Sequence, residues 1–274
     1  MITYVTTGPT CYDWQPVLGC DRISPGCDHC VDMADAANLK AAGHELFQHD
    51  GHPVTSGPGF GMTLHTHLLT LPLTYEEPTN FFLGVGMDLF HARIPFPYLK
   101  GIFEVIAACP RHTFHFCTRR SLRMARLAPK LPWPDNLWTG VSVENADYLN
   151  RLDHLRQVPA AIRWLAAEPL IGPLDGLNLD GIDTVSVLGE FGEGHRPIEQ
   201  AWVRDIRDAC IARRVPFYLK GWGGPVNNPI ALLDGRLWRQ LPRHPARPGR
   251  LLPDTLGREL WTGEPAPTAT QKAG

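Results

Sequence analysis

From about residue 60 onward, short runs of β-branched, aromatic and aliphatic residues alternate with stretches whose apolar residues recur at spacings of three and four. No other feature limits the fold as much. Strand and helix periods that take turns in this way build a parallel sheet, with helices in the crossovers between its strands. The spacing predicts strands at 62–65, 80–85, 112–117, 137–143, 162–167, 184–188 and 216–219. Most of them are nearly continuous in apolar character, as expected of strands buried on both faces. Helices are predicted at 98–109, 120–127, 146–157 and 201–213. An earlier strand at 14–18 brings the total to as many as eight. The expected fold class is therefore α/β, a complete or partial (β/α) TIM-like barrel, with an open doubly wound sheet as the other arrangement this rhythm permits.

At 274 residues, 43% of them hydrophobic, the chain can bury one sizeable core. A single barrel domain over residues 1–242 is expected, with 243–274 as an extension whose last dozen residues, rich in Ala, Thr and Pro, read as a disordered tail. Residues 49–61 carry Gly51, Pro53, Gly57, Pro58, Gly59 and Gly61 and read as a loop. The formal net charge is −2 and the pI about 6.6, so the overall balance does not announce a polyanion partner. Arg119, Arg120, Arg123 and Arg126 crowd one stretch, which reads first as a solvated helix face. The start of the chain lacks the basic and apolar regions of a signal peptide, and no stretch reaches the ~18 apolar residues of a membrane span. A cytoplasmic protein without membrane partners is expected.

Cysteine usage points the same way. Seven cysteines are present, and three of them, Cys20, Cys27 and Cys30, fall within one short segment as C-x6-C-x2-C. That pattern fits a reducing compartment and metal ligation better than a disulfide framework. Pro25 and Gly26 can fold the intervening loop so that the three sulfurs converge. A three-thiolate [4Fe–4S] cluster would leave one iron open to another ligand, whereas a zinc site would close with a fourth ligand, for which His29 and His44 are candidates. Cys11, Cys109, Cys117 and Cys210 are isolated, and core packing is their first explanation.

Several predicted strands end in polar or charged residues: Asp88, Thr118 with Arg119, Glu144 with Asn145, Glu168, Glu190 and Lys220. In a (β/α) barrel these positions gather on one face, where such barrels carry their active sites. Each has an ordinary reading as well. Glu144 and Glu168 are also placed to cap a following helix, and Lys220 to be a plain exposed lysine.

The segments Trp14-Gln15-Pro16-Val17-Leu18-Gly19-Cys20 and Ser24-Pro25-Gly26-Cys27-Asp28-His29-Cys30 resemble the opening motif of a phage-associated bacterial family of unknown function, the DUF5131 type, described as radical-SAM-like. Similar stretches follow around Met87-Asp88-Leu89-Phe90-His91, Leu137 to Asn145, Ala167 to Leu174, Arg196-Pro197 and Val215 to Gly223, so that the resemblance covers roughly residues 14–242. It departs from the family pattern at Phe191, Arg119 to Ser121, Gly221 and Val31. The resemblance implies a [4Fe–4S] cluster on Cys20, Cys27 and Cys30 whose open iron chelates S-adenosylmethionine, with reductive cleavage to a 5′-deoxyadenosyl radical. It implies an electron donor such as flavodoxin or ferredoxin, and its phage association suggests a nucleobase or nucleic acid as substrate. On this reading Ser142, Glu168, Gly189 and Glu190 contact the cofactor, and Asp88, Glu144 and Lys220 act on the substrate. The competing function is a zinc- or cluster-stapled module that binds nucleic acid or protein without catalysis, using Trp133, Trp138, Trp164, Trp222 and Arg119.

Overall fold

The structure is a computed structural model that describes residues 11–226 and 230–242; the expected tail at 243–274 lies outside the described residues. The strands are β1 (Cys11–Asp13), β2 (Val17–Leu18), β3 (Thr63–Leu64), β4 (Asn80–Leu83), β5 (Thr113–Thr118), β6 (Leu137–Ser142), β7 (Ile162–Ala167), β8 (Thr184–Leu188), β9 (Phe217–Gly221), β10 (Leu232–Leu233) and β11 (Arg236–Leu237). The helices are α1 (Val31–Ala41), α2 (Phe96–Ala108), α3 (Ser121–Leu127), α4 (Asn150–Arg156) and α5 (Gln200–Arg213).

Seven strands form one parallel sheet in the order β1-β4-β5-β6-β7-β8-β9. The order never reverses, so crossovers of a single hand place α2 and α5 on one face; α1 instead borders the other face, where its Asp32 and Met33 line a cavity with Phe82 and Trp164. This is a partial barrel. β1 and β9 stand at opposite ends of the sheet and do not pair with each other.

Two expected strands take another place. Residues 14–18 and 62–65 contribute only β2 and β3, which pair antiparallel in a separate two-stranded ribbon. The sheet begins earlier, at β1, whose Cys11 to Asp13 register with Asn80 to Phe82. Three residues of strand with an exposed tyrosine give little hydrophobic signal. The expected helix at 146–157 is broken into a 3-10 turn, Ala146–Tyr148, and α4. α1 was not expected. Its one fully buried residue is Ala36, which with the half-buried Met33 and Leu39 packs on a second, small core of Leu18, Phe47 and Phe60.

The two faces of the sheet differ in chemistry. In β5, Phe114 and Phe116 alternate with His115 and Cys117. Parallel register carries the first set across to Phe81, Leu83, Leu137, Val141, Leu165, Val185, Val187, Phe217 and Leu219. These pack in one core with Leu99, Ile102, Phe103 and Ile106 of α2 and with Val203, Ile206 and Cys210 of α5. Each fully buried side chain of this size contributes about 1.5–3 kcal/mol. The opposite face carries Asp13, Phe82, His115, Cys117, Trp138, Ser142, Trp164, Ser186, Tyr218 and Lys220. The strands therefore are not apolar on both sides as their composition suggested, and this second face, away from α2 and α5, is left for function.

Beyond β9, residues 238–240 run antiparallel along its free edge: Leu219 N donates to Trp238 O (2.9 Å) and Gln240 N to Phe217 O (3.1 Å). Among the described residues no helix is long and apolar enough to cross a membrane.

Candidate metal and cofactor site

The cysteine segment follows β2 and lies over the carboxyl ends of the strands. Gly19 adopts φ 95°, and a Cβ there would lie 2.4 Å from Gly61 O, so only glycine lets the chain turn into the loop at this point. Gly19 N donates to Gly86 O (2.8 Å), which ties the loop to the chain leaving β4. Pro25, Gly26 and Cys27 form a 3-10 turn closed by Cys27 N to Ser24 O (2.9 Å). Cys30 then caps the N-terminus of α1, where the helix dipole favours negative charge on sulfur.

Two buried carboxylates pin this loop from below. Glu144 is fully buried, accepts from Arg151 (2.5 Å) and from Ser24 Oγ, and lies 3.7 Å from Arg119. Glu190, 3% exposed, binds Arg196 through both oxygens and His29 Nδ1 (2.9 Å), while Arg196 also donates to Pro25 O (2.7 Å). Burial alone would raise the Glu190 carboxyl, but the bonds from Arg196 and His29 hold it down to about 2. Glu144 does not cap a helix; Asn145 does, accepting from Asp147 N (3.0 Å).

Cys20, Cys27 and Cys30 line one cavity of about 160 Å3 together with Asp88, Arg119, Arg120, Cys117, Ser142 and Glu168. Phe82 and Trp164 of the sheet face away from α2 and α5 supply its aromatic wall. Burial pushes the Cys20 and Cys30 thiols up to about 12, so binding of a metal by these sulfurs releases protons. Burial disfavours the Arg119 charge, but Cys27, Glu144, Cys117 and Cys30 around it outweigh that and raise its pKa. A permanent cation thus stands among the thiols, its buried Nε 3.7 Å from Glu144 and without a hydrogen bond.

Of the residues singled out in the sequence, the cavity wall brings together Cys20, Cys27, Cys30, Asp88, Ser142 and Glu168. Glu144, Gly189, Glu190 and Lys220 stand outside that wall. Gly189 packs against the chain beyond β9, where a Cβ would come within 2.1 Å of Trp222 O. Lys220 bonds Glu168 (2.8 Å) and sits over the Trp164 ring at 4.7 Å. Glu168 also accepts from Ser186, which in turn receives Trp164 Nε1 (2.6 Å), so it is the hub of a polar network rather than a helix cap. Asp88 accepts from Phe90 N (2.9 Å), Thr118 Oγ1 (2.6 Å), Arg119 N (3.1 Å) and Arg120 (3.0 Å).

Two wall residues, Cys117 and Arg120, were not recognised as such in the sequence, whereas Arg119 lies on the wall as its strand-end position led one to expect. Cys117 faces the cavity, 3.3 Å from Ser142 Oγ, and is not a core cysteine like Cys109 and Cys210. The period of two in β5 was the available signal, since it sets Cys117 opposite Phe116. Arg119 and Arg120 turn into the cavity, and only Arg126 of the arginine run is a plainly exposed residue of the expected kind. Arg123 is half-buried and donates to Ala92 O and Ile94 O.

Among the described residues, no group of three or more His, Cys, Asp or Glu side chains is arranged to hold a single metal ion. His29 and His44, the candidate fourth zinc ligands, use Nδ1 on Glu190 and on Leu46 N. A [4Fe–4S] cluster asks for something else: each thiolate meets a different iron, so the sulfurs must share a cavity rather than a point. Three thiols on one cavity wall, with cations to offset the charge of an anionic cluster, fit that donor set.

Fold and site define an α/β protein with a parallel partial barrel and a thiol-lined cavity at the carboxyl ends of its strands. The chain belongs to the DUF5131 family, proteins of unknown function, whose profile matches residues 8–252. No curated protein matches the chain. Among solved structures it is similar to a point mutant of spore photoproduct lyase, with 14% identity and a TM-score of 0.42. The match covers 72% of this chain and 59% of that one, so the chain spans less than two thirds of that protein.

Proposed function

We propose that this protein is an iron–sulfur enzyme of the radical-SAM type, holding a [4Fe–4S] cluster on Cys20, Cys27 and Cys30 and binding S-adenosylmethionine in the adjoining cavity. The observation that carries this reading is that the three thiols share one cavity with Arg119 and Arg120 and with polar groups at the ends of β5, β6 and β7. When bound, such a cluster supplies an electron, here from a donor such as flavodoxin or ferredoxin, to cleave the sulfonium of the cofactor.

The chain's own groups bind and orient. Ser142 Oγ and Glu168 offer a hydrogen bond and a negative charge to the cofactor's polar ends. Lys220 holds the Glu168 carboxylate in place (2.8 Å), and Arg119 fixes the Glu168 carbonyl (2.9 Å). Glu144 and Glu190 keep the cysteine loop in register and thereby seal the cavity from above. Phe82 and Trp164 suit the face of a planar ring, which favours a nucleobase or nucleic acid as substrate.

The test is EPR of anaerobically reconstituted, reduced protein before and after S-adenosylmethionine is added, with Cys27→Ala as control. A [4Fe–4S] signal that changes on addition, together with release of 5′-deoxyadenosine, is expected, and Cys27→Ala should lack it. Stoichiometric zinc with no cluster would overturn the reading and leave a metal-stapled binding module.

A further inference from the structure

One cavity cation has contacts unlike those of its neighbours. Arg120 lies behind Cys20. Its Nη1 donates to Cys20 Sγ (3.3 Å) and to Asp88 Oδ2 (3.0 Å), its Nη2 donates to Asp21 O (2.9 Å), and its backbone N donates to Thr118 Oγ1 (2.9 Å). The side chain is 12% exposed and that of Asp88 7%. Asp88 is itself locked by Phe90 N, Thr118 Oγ1 and Arg119 N, so the guanidinium has one orientation open to it.

The other two thiols are treated differently. Cys27 has Ser24 Oγ at 4.0 Å, a neutral and distant partner, and Cys30 sits at the start of α1. Cys20 alone among the three receives a charge-assisted N–H···S bond from a described side chain. Hydrogen bonds to cluster sulfurs and nearby net charge are among the main determinants of an iron–sulfur potential. A donor with a fixed positive charge favours the reduced, more negative state.

We infer that Arg120 is a positioning residue for the cluster: held by Asp88 and the Asp21 carbonyl, it hydrogen-bonds the Cys20 sulfur and raises the reduction potential of the bound cluster. This rests on the reading above that a [4Fe–4S] cluster occupies the three thiols. Asp88 then serves to aim Arg120.

The experiment is an EPR-monitored redox titration of the reconstituted parent protein, Arg120→Lys and Arg120→Gln, with Arg126→Gln, an exposed member of the same run, as control. At a fixed solution potential, Arg120→Gln should show a reduced-to-oxidised ratio about tenfold lower than the parent, about 59 mV for a one-electron couple. Arg120→Lys, which keeps charge but loses the fork that bridges Asp88 and Cys20, should fall between them, and Arg126→Gln should match the parent. Equal midpoints in all four proteins would overturn the inference while leaving the cluster assignment standing. Loss of the cluster from both Arg120 variants would also overturn it, because Arg120 would then build the site rather than set its potential. Failure of the parent to take up a cluster would sink the functional reading instead.

Discussion

Asp13 shows how much one residue on the cavity face of the sheet depends on the company it keeps. Burial, and then the charge of Asp32, raise its carboxyl from 3.8 to about 6, and its Oδ1 is buried without a partner. A carboxyl raised on folding prefers its protonated form in the native state. It costs no stability below pH 3.8; the cost grows as pH rises from there and is complete above about 6, where the folded group has ionised as well. Asp13→Asn removes that cost. Urea melts should therefore show the variant level with the parent near pH 4 and more stable at pH 8, and a difference independent of pH would disprove the assignment. Composition and spacing reveal the cysteines at this scale because thiols in a tight cluster are rare. They do not reveal Asp13, whose chemistry is set by a neighbour nineteen residues away and by a strand too short to read.

At the scale of elements, the cysteine loop is the piece whose order the rest of the molecule supplies. It contains one short 3-10 turn and no regular hydrogen-bond ladder. Its place depends on Arg196, which joins the chain after β8 to Pro25 O, and on Glu190, which that arginine holds ionised. Arg196→Ala should free the loop while leaving the sheet intact. Hydrogen exchange is expected to accelerate across residues 24–30 with little change in β5 to β8, and the iron content after reconstitution should fall. Uniform acceleration over the whole chain would show instead that the loop and sheet unfold as one unit. The central elements were readable because their periods were strong: β7 and β8 stand where the sequence put them, and α5 begins within a residue of its expected start. α1 escaped notice because its apolar face is limited to Met33, Ala36 and Leu39, and β1 because three residues carry no period.

Among the described residues the sheet curls over a cavity without β1 and β9 pairing, and the β9 edge needs cover. Residues 238–240 protect the β9 edge, with Trp238 and Leu233 buried beneath and Phe217 N bonded to Gln240 Oε1 (3.0 Å). Ending the chain after Gly224 should expose that edge. Size-exclusion chromatography and thermal melts are expected to show association and a lower transition temperature, as for any long unpaired edge strand; a monomer of unchanged stability would argue that the covering segment is dispensable.

The sequence by itself determined the α/β class, the parallel sheet, most of its strands and the cluster of thiols, because hydrophobic period and cysteine spacing are local quantities. Only the tertiary structure decided that the barrel stays partial, since closure depends on pairing between β1 and β9, which lie at the two ends of the sheet. It alone set Arg119, Arg120 and Cys117 against the cysteine loop, across about 90 to 100 residues of chain. It also sorted the strand-end acids into those that face the cavity and those that hold its lid, because which way a buried charge turns is settled by the cations that other elements bring to it.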